Sequence, residues 1–236
     1  MQVMRLSIVH MNYTYFVIFL ISKCMKGNSK MFLFRFIFSP ILFVLIVFIA
    51  WPAVIGEGET AAESVALVLD KPTLSGIFTL IGTIVFGSLA VGYTLLAWSR
   101  ADGSTTEGTL ASIAAMIFVG MTTIIFIALG TTYPIIGEGG ENLVEAEWIW
   151  AVSDSMFAAV FLAWTLGNVV LGTALLIENK INRIASGLVL LAGILMFILH
   201  LLVGIGDSLE VIWIVPMLLT VISAVVLGIF NLRSES

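Results

Sequence analysis

Apolar residues are grouped along this chain into six long runs, which short polar connections separate. A helix needs about 20 predominantly apolar residues to cross a bilayer, because each residue advances it by about 1.5 Å. The pattern therefore predicts an all-α polytopic membrane bundle of six transmembrane helices, paired as three hairpins. The predicted helices cover residues 36–55, 74–98, 110–131, 149–177, 184–203 and 211–230.

Charged residues are sorted between the two sides of this bundle. The connections after the first, third and fifth runs hold most of the 15 acidic residues and a single base, Lys71. The other nine bases precede the first run, lie in the two remaining connections or follow the last run. Because lysine and arginine favour cytoplasmic loops, the chain is predicted to be a multipass protein of the plasma (inner) membrane with both termini in the cytoplasm. Trp51, Trp148 and Trp150 at outer boundaries agree, since indole rings prefer headgroup depth.

The composition excludes several classes of protein. The chain is 60% hydrophobic and 11% charged, whereas soluble proteins carry about 25% charged residues. It has no basic face for nucleic acid, and its single cysteine, Cys24, excludes an intrachain disulfide and a cysteine-based zinc site. Standard catalytic and phosphate-binding motifs are absent, as is a lysine in a late helix. We therefore predict no cofactor and no nucleic-acid partner.

The first thirty residues differ from the transmembrane domain predicted for residues 31–236. They are rich in Met, Asn, Tyr, Phe, Ile and Lys, and their apolar part is interrupted by His10, Asn12 and Thr14. Three interpretations stay open: an extension upstream of a natural start at Met31, an interfacial or signal-like segment, or a seventh helix. The first two are favoured because the apolar part is marginal for a crossing.

Two predicted outer connections begin with similar sequences. Residues 51–59 read WPAVIGEGE and residues 133–141 read YPIIGEGGE. Proline and glycine both help to end a helix, which gives these sequences a structural role. The match also suggests a parallel duplication of at least the first two hairpins, with chance similarity as the alternative.

Ionisable residues inside a membrane are candidates for function, and here they gather near the predicted outer face. Asp154 lies in the fourth helix, His200 lies near the outer end of the fifth, and Asp207 and Glu210 form the turn that follows. Imidazole and carboxylates are good metal ligands and can relay protons. These four residues are therefore candidates for a divalent metal site or a proton relay. The alternative is an interfacial histidine with a local hydrogen bond, because the ligand spacing of known metal motifs is absent.

Asn168 is the one amide well inside the predicted bilayer, and Thr83 belongs to a stripe of small residues on the second helix. A buried amide most often bonds across helices. If the protein is a transporter, however, Asn168 and Thr83 are the residues expected to line a cavity that reaches the midplane between hairpins.

The sequence WTLGNVVLGTALL at residues 164–176, followed after a polar turn by IASGLVLLAG at residues 184–193, resembles a pattern common in six-helix prokaryotic integral membrane proteins. The resemblance covers the fourth and fifth helices. Such families carry no established activity, so the resemblance implies a class of protein and no mechanism.

Three functions are compatible with these observations. The favoured one is an accessory, structural or sensory membrane subunit, since polar residues inside the bundle are few. Its partners would be the lipid bilayer, other membrane subunits or further copies of the chain. The first alternative is a small permease or channel for a cation or small solute, because outer carboxylates concentrate cations. The second is a membrane-embedded enzyme that uses the outer His200 and carboxylate neighbourhood, although the sequence favours a protein that is not an enzyme.

The predicted orientation can be tested by labelling single cysteines in intact cells. In a Cys24→Ser background, Glu141→Cys should react with a membrane-impermeant maleimide, whereas Lys180→Cys should react only after the cells are opened. The reverse pattern would contradict the orientation.

Overall fold

A computed structural model describes residues 34–138, 141–203 and 210–234 of the chain. The three interpretations of residues 1–30 therefore lie outside the described residues. We call the end of the bundle that carries the acidic connections the outer end, following the predicted orientation.

The described residues form eight helices, and no strand occurs among them. Helix α1 combines two wide, π-type turns with regular α-helix. Helices α2 and α5 are short and lie at the outer end. The helices are α1 (Phe34–Val54), α2 (Ala61–Asp70), α3 (Pro72–Ser99), α4 (Thr106–Gly130), α5 (Thr132–Glu138), α6 (Leu143–Glu178), α7 (Arg183–Val203) and α8 (Glu210–Ser234).

Five of the predicted runs form helices that are long and apolar enough to cross a bilayer: α1, α3, α4 with α5, α6 and α7. The sixth run lies within α8, in which Met217–Asn231 is a shorter apolar stretch. The all-helical class is thus confirmed, while six crossings and the orientation of the termini stay predictions. Helix α6 has 36 residues and begins earlier than predicted, which gives it a length of about 54 Å.

The six longer helices pack in a ring in chain order. Helix α3 packs on α4, α4 on α6, α6 on α7 and α7 on α8, and α1 lies between α8 and α3. Large side chains from several helices fill the middle of the ring, among them Phe36, Phe86, Phe118 and Trp164, which are all buried.

The distribution of polarity is the inverse of that in a soluble protein. Large apolar side chains face outward, such as Ile84, Met116 and Ile184, whose exposed fractions are 53%, 75% and 69%. Polar side chains such as Asn168 and Ser223 are fully buried. Water would penalise so much exposed apolar surface, whereas lipid accommodates it. The fold is therefore that of a membrane protein.

Several close helix contacts occur where a phenylalanine side chain packs against a glycine of a neighbouring helix. Phe36 of α1 lies against Gly92 of α3 and Gly228 of α8. A Cβ atom at Gly228 would lie 2.6 Å from Phe36 Cβ, and one at Gly167 would lie 2.6 Å from the ring of Phe118. Small residues let membrane helices approach closely where the hydrophobic effect does not drive association.

The connection between the first two runs contains a helix that the hydrophobic pattern did not predict. Thr60 caps α2 by accepting a hydrogen bond from the Glu63 N–H at 3.2 Å. Val65 and Val68 of α2 are buried against Ile135 and Ala146 of the second hairpin. A small apolar cluster thus joins the two hairpins at the outer end.

The packing of α6 on α7 can be tested at Gly172. A Cβ atom there would lie 2.6 Å from the Leu190 backbone nitrogen, so Gly172→Ala must push the helices apart and should lower the free energy of unfolding by about 1–3 kcal/mol. Thermal unfolding in detergent micelles would measure the loss. Gly120→Ala is the matched control, because its Cβ meets nothing within 4 Å. Equal melting temperatures for the two variants would refute the close contact.

Candidate outward-facing pocket

A cavity of about 350 Å³ opens between the first two hairpins. Its walls come from α1, α3, the junction of α4 with α5, and α6. Along α3 it extends from Phe78, near the outer end, to Phe86 at the middle of the helix. The cavity therefore reaches from the outer end to about the centre of the bundle.

The shape of α1 contributes to one wall. Pro52 has no N–H to donate, and its ring crowds the preceding turn. The turn Ile46–Ala50 just before it is widened, with the Trp51 N–H bonded to the Ile46 carbonyl five residues back. Ile46, Val47 and Trp51 all line the cavity. Wide turns of this kind often occur at functional sites.

Aromatic side chains dominate the lining. They come from three helices: Phe43 and Trp51 of α1, Phe78 and Phe86 of α3, and Trp150, Phe157 and Phe161 of α6. Few polar groups accompany them.

Asp154 is the one charged residue among those that line the cavity. The neighbouring Ser153 is buried and uses its hydroxyl to bond the Ala128 carbonyl at 2.7 Å, which attaches α6 to α4 beside the pocket. Asp154 itself is exposed and takes part in none of the ion pairs among the described residues. Its carboxylate is therefore available to a ligand in an otherwise mainly apolar pocket.

A layer of aromatic rings closes the cavity below. The ring centroids of Phe43 and Phe86 are 4.4 Å apart, and those of Phe86 and Trp164 are 5.7 Å apart. Phe161 stacks on Trp164 with a centroid distance of 6.4 Å. Trp164 is buried and lies outside the lining, so it supports the floor from the inner side. We refer to Phe43, Phe86, Phe161 and Trp164 as the aromatic layer.

Polar atoms without hydrogen-bond partners lie directly beyond this layer. They are Ser39 Oγ and both amide atoms of Asn168. Ser39 is one turn inward from Phe43, and Asn168 is one turn inward from Trp164. A buried polar atom left unpaired costs about 1–3 kcal/mol. These unpaired polar groups therefore lie at mid-depth in the bundle, next to the floor of the pocket.

The inner end is held by an electrostatic contact among three helices. Arg100 Nη1 lies 3.4 Å from Glu178 Oε1, and Arg100 Nη2 donates to Asn231 Oδ1 at 3.1 Å. The two charged side chains are largely buried, which reduces screening by solvent. Lys180 adds a second contact to Glu178 at 3.0 Å. These bonds connect the inner ends of α3, α6 and α8.

The inner turn between α3 and α4 is fixed by local bonds. Ser104 donates from its N–H and its hydroxyl to Asp102, at 3.0 and 2.7 Å. These bonds hold the pKa of the Asp102 carboxyl below its usual value. The lowered pKa of Asp102 is therefore explained by the hydrogen bonds that fix this turn.

The four residues predicted to bind a metal are only partly described. His200 is half-buried, and its Nε2 lies 3.3 Å from the Ala158 carbonyl, one helical turn from Asp154. The side chains of Asp207 and Glu210 lie outside the described residues. Among the residues with described positions, no group of three or more His, Cys, Asp or Glu side chains could hold a metal ion. The metal site stays a prediction.

The role of Thr83 and Asn168 in a transport path stays a prediction. Thr83 bonds the Thr79 carbonyl at 2.7 Å, and Asn168 is fully buried beyond the aromatic layer. Neither is among the residues that line the cavity, whereas Thr79 and Gly82 are. Thr83 is next to Gly82 on α3, and Asn168 lies two turns inward from Phe161 on α6.

No family model, no curated protein and no solved structure matches this chain. The arguments about function therefore depend on the geometry of the bundle.

The unpaired state of Asn168 can be tested against a second buried asparagine. Asn168→Leu removes two unpaired polar atoms and replaces the side chain with an apolar one of similar volume. It should therefore leave the melting temperature in detergent unchanged or raise it. Asn231→Leu removes an acceptor from Arg100 and should destabilise the protein by about 1–3 kcal/mol. A loss at Asn168→Leu as large as that at Asn231→Leu would mean that Asn168 has a bonding partner.

Proposed function

We propose that this multipass membrane protein binds a small, largely apolar solute in a pocket reached from its outer end, in the manner of a small permease. The cavity of about 350 Å³ carries the proposal. Small-molecule sites typically occupy about 300–1,000 Å³ and are lined by hydrophobic and aromatic side chains with a few polar groups. The volume and the lining of this cavity agree with both properties.

The two ends of the bundle differ in a way that supports permease-like binding. The residues that line the cavity lie in the outer half of the bundle, and the aromatic layer lies between the cavity and the inner end. The contact of Arg100 with Glu178 and Asn231 holds the inner ends together. A transporter that alternates between two faces has a state with its site near the middle of the membrane, open on one side and closed on the other.

The unpaired polar atoms beyond the aromatic layer also support this function. Polar groups inside a membrane are costly and tend to mark paths for substrates or ions. Asn168 would meet a solute that moved past the layer. In a purely structural bundle, apolar side chains would fill the same volume at lower cost.

A sensory or accessory subunit remains the second candidate, because a pocket of this kind also suits a protein that detects a solute without moving it. Both functions begin with binding of the solute in this pocket, so the binding experiment described next tests a step that they share.

Binding can be measured through the tryptophans of the pocket. Trp51 and Trp150 line the cavity, so a brominated neutral probe, 1-bromo-4-neopentylbenzene, should quench their fluorescence through its heavy atom. Gly82 also lines the cavity, and a Cβ there meets nothing within 4 Å. Gly82→Leu should therefore fill the pocket without disturbing the fold, and remove the saturable part of the quenching in lipid nanodiscs.

Gly120→Leu is the control for this experiment. Gly120 is exposed on α4, outside the lining, and has equal space for a side chain. That variant should be quenched like the unmodified protein. If Gly82→Leu and Gly120→Leu behave alike, the probe reaches the tryptophans from the lipid and the proposed binding site is refuted.

A further inference from the structure

The proposed pocket combines two features that favour one class of solute. The first is the concentration of aromatic rings: seven of the residues that line the cavity are Phe or Trp. Aromatic faces carry partial negative charge, and they attract an organic cation more strongly when water is excluded. Neutral solutes gain only the burial of apolar surface from the same rings.

The second feature is the single carboxylate, Asp154. It lines the cavity and lies one turn from Phe157 and two turns from Phe161 on the same helix. Lys71, the one base of the outer connections, donates to the Val54 carbonyl at 2.7 Å, and Asp154 takes part in none of the described ion pairs. A bound cation would therefore have this carboxylate as its counter-ion.

The surroundings of the pocket point in the same direction. The outer connections carry an excess of acidic residues, including Glu57, Glu59, Glu145 and Glu147. A surface of one sign raises the local concentration of ions of the other sign. Organic cations would reach the mouth of the pocket at higher concentration than organic anions.

A metal ion is a poor fit to the same residues. Calcium takes six to eight oxygen ligands and magnesium about six, whereas the lining offers one carboxylate among mainly apolar side chains. The lining instead matches a solute with a charged head and an apolar body.

We propose that the pocket selects hydrophobic organic cations, such as alkyl- or arylammonium compounds. The charged head lies at Asp154, and the apolar body extends inward among the rings toward Phe86 and Phe161. This inference rests on the proposed function, since it names the solute class of that same pocket.

Two probes of the same shape test the charge preference. 4-Bromobenzyltrimethylammonium differs from 1-bromo-4-neopentylbenzene only in a quaternary nitrogen in place of a carbon. With the protein in zwitterionic nanodiscs, Asp154→Asn should weaken quenching by the cation about tenfold, in line with loss of a partly desolvated counter-ion. Quenching by the neutral probe should not change. Asp154→Glu, which keeps the charge, should retain most of the affinity for the cation.

Glu147→Gln is the matched control, since it removes one outer carboxylate of α6 that does not line the cavity. It should weaken binding of the cation much less than Asp154→Asn does. If the two variants have equal effects, or if Asp154→Asn has none, the head does not lie at Asp154 and the inference is overturned, while binding of the neutral probe upholds the pocket. If Gly82→Leu affects neither probe, the proposed function itself fails.

Discussion

The whole bundle depends on shape complementarity between helices that have lipid on their outer side. Lipid tails are as apolar as the side chains, so the hydrophobic effect adds little to association between such helices. Close contacts have to supply the energy instead, through many weak dispersion interactions. The placing of Phe36 between Gly92 and Gly228, and of Phe118 on Gly167, shows how these contacts are made. Gly82 has no such contact, since a Cβ there would meet nothing within 4 Å, and it lines the cavity.

Charge is kept to the ends of this structure for the same reason. Removing ions from water costs several kcal/mol even when they are paired. Arg100 and Glu178 meet at the inner ends of α3 and α6, where Asn231 and Lys180 supply further partners that offset that cost. At the outer end, Lys71 bonds the Val54 carbonyl, where a cation faces the negative end of the α1 dipole. Asp154 differs from these groups because it is placed on the wall of a cavity and has no such structural bond.

The hydrophobic pattern predicted the all-helical class and the positions of five long helices, since lipid demands runs of a minimum length. It missed α2, although the capping pattern from Thr60 to Glu63 and the spacing of Val65 and Val68 were visible in the sequence. The sequence also singled out Asp154, as a candidate metal ligand, but residue type alone does not reveal that this side chain shares a cavity wall with Phe157 and Phe161. The cavity depends on which residues of neighbouring helices face each other, and periodicity in one helix does not specify that.

The outer end of the bundle explains why α6 is longer than a crossing requires. At about 54 Å it exceeds the bilayer core of about 30 Å, and its additional turns carry Ala146 and Trp150. Ala146 packs with Val65 and Val68 of α2, and Trp150 contacts this cluster while it also lines the cavity. The rim of the pocket is therefore supported by structure beyond the apolar core of the membrane. A pocket opening sideways into lipid would not need that support, so the extension of α6 and the position of α2 both favour access from the aqueous side.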